Sequence, residues 1–250
     1  MSVTKSSGWV YDKKIKEDTY NYFMKQINFI ALLVSLISFA QTQKESSFTN
    51  DSDTTYWMKY RNKAFDIEDK SDTFFKLQTP CVSIEVSKTN GEVNGTIEFL
   101  ANEVDELKDS TGVFKKKVDF QNSIAIFNLL DSLKINSIPS DKFIPKWQKG
   151  FDGITYIIEY KDSIQHSFKK YWTPSTQNNL EEAARIQNFV DKVYSIVNLE
   201  KLSLNFQNEI PFRSWTCNGV VITRVMSKQE YKEYKKKKRK FLKKKAAGGD

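Results

Sequence analysis

Histidine is almost missing from this chain: His166 is the only one among 250 residues. That scarcity excludes a zinc site built on two or three imidazoles, an H-E-x-x-H helix and any proton shuttle between two histidines. A Ser–His or Cys–His dyad would have to use His166, which sits between Ile164 and Phe168 in an alternating stretch and reads as a structural histidine on a strand. Cysteine is nearly as scarce. Cys81 and Cys217 lie in no nucleophile signature; they are a candidate disulfide in an exported chain, with two separate buried thiols as the alternative. No dinucleotide fingerprint, P-loop or nucleophile elbow occurs, and no cofactor is expected. Asp51-Ser52-Asp53 opens like a calcium loop but lacks the glycine and distal glutamate such a loop needs. With 31 Asp and Glu, a carboxylate pair working as in glycosidases stays open, yet nothing sets Glu159 or Asp152 apart from solvated strand and turn residues.

A long hydrophobic run is missing too. Residues 27–40 are apolar over fourteen positions, which as a helix would reach about 21 Å against about 30 Å of hydrocarbon. The flanks match a secretory signal: Lys25 before the run, then Ser38-Phe39-Ala40 placing small residues at −3 and −1 of a cut before Gln41. The expectation is a periplasmic or secreted protein cleaved after Ala40. A membrane anchor through uncleaved residues 27–40 and a buried core helix are the alternatives. Residues 1–23 carry little apolar periodicity, so Met24 reads as the true start; a long cytoplasmic n-region is the other reading.

Charge is present but unevenly placed. The chain carries +8, and residues 224–245 hold twelve Lys or Arg against two Glu, a net of +10 that leaves −2 for all the rest. A near-neutral body with a basic tail does not imply a nucleic-acid surface spread over a folded face. In the tail, Ser227-Lys228-Gln229-Glu230 fits a capping box and Met226 with Tyr231 a hydrophobic staple, so a helix should start near Lys228. Beyond Tyr234 the like charges of Lys235, Lys236, Lys237, Lys238, Arg239, Lys240, Lys243, Lys244 and Lys245 should fray the chain into solvent or settle it on an anionic surface.

Between these ends the pattern is that of an α+β domain, an antiparallel sheet built from hairpins with two amphipathic helices on one face. Val82, Ile84 and Val86 alternate up to Asn90-Gly91, a type I′ turn signal, and Val93, Ile97 and Phe99 return; Asn94-Gly95 is the competing turn. Residues 113–120 form a third strand. Ile126, Leu129, Leu130 and Leu133 recur as one helical stripe. A second hairpin runs through Ile154, Tyr156, Ile158 and Tyr160 and back through Ile164, His166 and Phe168, with Tyr156, Tyr160, Phe168, Tyr171 and Trp172 expected on one face. The second helix, capped by Asn178 or Asn179, buries Ile186, Phe189, Val190, Val193 and Val197 and continues through Leu199, Leu202 and Phe206. The chain thus divides into a signal-bearing extension (1–43), a polar, partly flexible lead-in (44–80), the α+β domain (81–222) and a basic helical tail (223–250).

The stretches DGITYIIEY (152–160), YWTPSTQ (171–177) and IPFRSWTCNG (210–219) resemble a family of exported bacterial proteins of unknown function, over about residues 120–225. The resemblance implies secretion or a periplasmic location and carries no catalytic residue. The expected function is a non-enzymatic envelope module whose tail meets an anionic lipid or envelope polymer. The alternatives are a carboxylate-based hydrolase of the envelope, or, without export, a cytoplasmic protein binding nucleic acid through the tail.

Overall fold

Apolar residues at alternate positions of the central strands give the sheet one oily face, and amphipathic helices close over it. The computed structural model describes residues 47–60, 71–104, 112–217 and 219–246. The proposed signal at 27–40 lies outside them. The strands are β1 (Ser47–Phe48), β2 (Thr73–Gln78), β3 (Val82–Thr89), β4 (Glu92–Glu103), β5 (Val113–Phe120), β6 (Thr155–Lys161), β7 (Gln165–Trp172), β8 (Ser214–Cys217) and β9 (Val220–Thr223). The helices are α1 (Thr54–Tyr60), α2 (Ile124–Ser132), α3 (Glu181–Val197), α4 (Leu199–Glu209) and α5 (Lys228–Ala246). Sheet order is β1-β7-β6-β2-β3-β4-β8-β9, with β5 on the other edge of β4. All pairings are antiparallel except β1 with β7. The fold is α+β, as the sequence pattern implies.

Both hairpins form. Asn90 and Gly91 take φ of 51° and 86°, the positive values a type I′ turn demands, and β3 pairs with β4 from Val82↔Phe99 to Thr89↔Glu92. Gly95, in the competing Asn-Gly, lies within β4 opposite Phe120, whose ring would stand 2.5 Å from an added Cβ. A side chain there would evict the ring, which explains the glycine without a turn.

The core face carries Phe75, Leu77, Ile84, Val86, Ile97, Phe99, Tyr156, Ile158 and Tyr171, all buried. Against it α2 packs Ile126 and Leu130, α3 packs Ile186, Phe189, Val190, Val193 and Val197, and α4 packs Phe206. Phe189 meets Phe75 edge-on at 5.8 Å, and Phe206 stacks on Phe99 at 5.0 Å. On the opposite face, Phe48 of the edge strand β1 stacks on His166 at 4.2 Å, and Tyr56 of α1 lies on Phe168 at 6.4 Å.

Four expectations are corrected. The lead-in contributes β2, a sheet strand flanked by β6 and β3, with five of its six residues buried. The long second helix is two, because Asn198 turns left-handed at φ 51° between α3 and α4. Phe168 and Trp172 alternate with Tyr171 along β7 and so lie across the sheet from it, while Ile164 falls in the turn, 82% exposed. Asn179 at φ 60° precedes α3 without a side-chain cap, so Glu181 and Glu182 alone meet its positive end.

Candidate anionic-surface interface

The capping box at the start of α5 forms in both directions. Ser227 N–H donates to Glu230 Oε2 at 2.7 Å, and Glu230 N–H donates to Ser227 Oγ at 3.3 Å. The backbone bond to Ser227 holds the Glu230 carboxyl below its ordinary pKa, with the hydroxyl contact adding to it. From there the helix runs unbroken to Ala246 rather than fraying after Tyr234.

The reason is a stripe of partly buried side chains at Tyr234, Lys238 and Phe241, spaced four and three apart and so on one side of the helix. Phe241 sits edge-on to Phe114 at 6.1 Å and to Phe212 at 5.6 Å, and Phe114 stacks in turn on Phe206. Lys238 Nζ lies 2.5 Å from Glu103 Oε1, a carboxylate 7% exposed at the end of β4. An aromatic contact and a half-buried ion pair therefore seat the helix on the body. Lys238 is spent on that contact and leaves the set of residues offered to an anion. Lys235, Lys236, Lys237, Arg239, Lys240 and Lys243 remain exposed, with Lys235 Nζ 4.6 Å above the Tyr231 ring. Lys244 and Lys245 belong to the same helix; their side chains lie outside the described ones. Three successive lysines and Arg239 with Lys240 spread their charge around the helix, so the displayed surface is a broad cationic one.

No sequence expectation covers the hairpin before α5. β9 is β-branched throughout and pairs with β8, yet Val220 is 63%, Val221 55% and Val225 99% exposed. The run Val220-Val221-Ile222-Thr223 after Gly219 is the signal that could have found it.

Cys81 and Cys217 are joined by a disulfide with Cα atoms 5.7 Å apart. Asn102 pairs with both Val113 and Thr216, so β8 follows β3 along one edge of β4, and the bond closes where those two strands meet end to end.

Several titratable groups of the body are held by protein partners. His166 shares a 2.7 Å hydrogen bond between Nε2 and Glu159 Oε1. Buried Lys169 donates to Asp51 Oδ2 and Asn136 O at 2.7 Å and to Ile138 O at 2.9 Å. Ser52 Oγ accepts from Phe168 N–H, and Asp53 accepts from Lys142 and from Tyr56 N–H, so each side chain of the calcium-like triplet has a protein partner. For the hydrolase reading, one groove of about 620 Å³ contains two acids, Glu181 and Asp191. They stand ten residues apart on α3, about 15 Å along its axis, beyond the roughly 5–9.5 Å of a glycosidic pair. Among the described residues no helix is long and apolar enough to cross a membrane.

No protein-family model, curated protein or solved structure matches the chain.

Proposed function

We propose that this is an exported envelope protein, a non-enzymatic interaction module held to an anionic surface by the basic helix α5. The observation that carries the reading is the seating of that helix. Phe241 and Lys238 fix one side of it to the body, while Lys235, Lys236, Lys237, Arg239 and Lys240 stay exposed. A helix held in place presents its cations without the entropic cost of ordering them on binding. The Cys81–Cys217 bond supports export, because disulfides persist in oxidising compartments and are rare in the cytosol.

The test is co-sedimentation with phosphatidylcholine vesicles, with or without phosphatidylglycerol. The intact protein should bind only the anionic vesicles, and the binding should fall steeply as salt rises to about 0.15 M, where screening sets in beyond about 8 Å. Replacing Lys235, Lys236, Lys237, Arg239 and Lys240 together by Gln should weaken binding by roughly several thousand-fold, at about 1 kcal/mol per cation. Equal binding by both proteins would overturn the reading.

A further inference from the structure

We propose that the β8–β9 hairpin is a lipid anchor, placing Val220, Val221, Ile222 and Val225 in the interfacial region of an anionic bilayer while α5 supplies the attraction. The inference rests on the anionic-surface reading and commits its partner to lipid. Four large apolar side chains within six residues are exposed, at 63%, 55%, 36% and 99% in chain order. They do not belong to a slack loop. On β8, Trp215 is 5% exposed and Cys217 is tied to Cys81. Beyond β9, the Arg224 guanidinium lies 5.0 Å over the Trp215 ring and donates to Ile210 O at 3.0 Å. The valines are thus held out on a fixed edge of the sheet, where exposed apolar groups mark a surface meant to be covered.

Charge selects what covers them. From residue 219 to residue 229 there is no Asp or Glu, and Arg224 and Lys228 lead into the basic helix. A second copy pairing edge to edge would bring two such cationic segments together. A soluble polyanion would satisfy the lysines but gain nothing from the valines. An anionic bilayer takes both, with phosphates for the cations and the headgroup–acyl boundary for the apolar side chains. Phe241 is seated on Phe114 and Phe212, so most of the exposed apolar surface lies on the hairpin, with Leu242 of the helix, 44% exposed, adding to it.

The experiment uses the full chain with Val221→Asp and Val225→Asp combined, and separately Val221→Ser with Val225→Ser, which adds no charge. Both variants should unfold at the same temperature as the parent. At ~1 M salt, where the screening length is about 3 Å, the parent should keep residual binding to phosphatidylglycerol vesicles. Both variants should lose that binding by about tenfold or more. Affinity for inorganic polyphosphate at low salt should stay within about twofold in the Ser variant, since cations alone drive it. Vesicle binding unchanged in both variants would overturn the proposal, as would a parental dimer that the Ser variant dissociates. If the parent bound no anionic vesicle even at low salt, the attachment itself would fail, a result distinct from tail-driven binding indifferent to the hairpin.

Discussion

Lys169 shows how single residues knit the sheet to its loops. Burial pushes its ammonium pKa down, and the hydrogen bond and charge of Asp51 push back. At Asp51 burial is the largest single influence and acts to raise the pKa, but the hydrogen bonds from Lys169 and Thr49, the Lys169 charge and a backbone hydrogen bond together outweigh it and hold the carboxyl below its ordinary value. The two shifts differ because Lys169 is far the more buried, its side chain 2% exposed against 33% for Asp51. With three acceptors within 2.9 Å, the charged ammonium is the form that fits. Asp51→Ala should therefore destabilise by about 3 kcal/mol in the urea midpoint, because a buried cation loses its counter-charge. A carboxyl whose folded pKa is depressed stabilises fully above its unfolded value of about 3.9, and that contribution is lost as pH falls through the folded value. Acid titration of stability should accordingly be shallower below about pH 4 in Asp51→Ala than in the parent. None of this was legible in the sequence, since Asp51 and Lys169 are separated by 118 positions and each alone reads as a surface charge.

Elements were legible where local chemistry dictates them. Asn90-Gly91 and the Ser227–Glu230 box are short-range devices and both form as expected. β2 escaped notice because it is short and its alternation is carried by Phe75 and Leu77 alone, while the interleaved Lys76 and Gln78 read as solvent-facing although both are buried. The break at Asn198 was hidden because apolar spacing runs on through Leu199, Leu202 and Phe206, leaving only the asparagine's tolerance of a left-handed backbone to betray it. Asn198→Ala should cost about 1 kcal/mol and Asn198→Gly much less, as read by thermal unfolding. In α3, Phe189→Ala should cost about 3–5 kcal/mol while exposed Lys192→Ala stays within about 0.5 kcal/mol; equal shifts in the urea midpoint would show the face misassigned. Seating of α5 predicts that Phe241→Ala lowers stability by about 1–2 kcal/mol through its half-buried aromatic contacts. A solvated tail would give no change.

Across the whole molecule, the disulfide links residues 136 apart and ties β3, in the middle of the sheet, to the hairpin beside the basic helix. Closing so long a loop restricts the unfolded chain, and replacing both cysteines by Ser should lower stability by about 2–5 kcal/mol. Reduction of the parent should give the same shift in the urea midpoint, and no shift would mean the thiols are unpaired in solution. Such a bond, a basic helix fixed to a near-neutral body and the signal-like residues 27–40 make one account only if the protein leaves the cytosol. Amino-terminal sequencing of the protein from fractionated cells tests that most directly. The account predicts a chain beginning at Gln41, found in the envelope fraction and released by salt. A cytosolic protein still carrying residues 24–40 would contradict it and turn the basic helix toward nucleic acid instead.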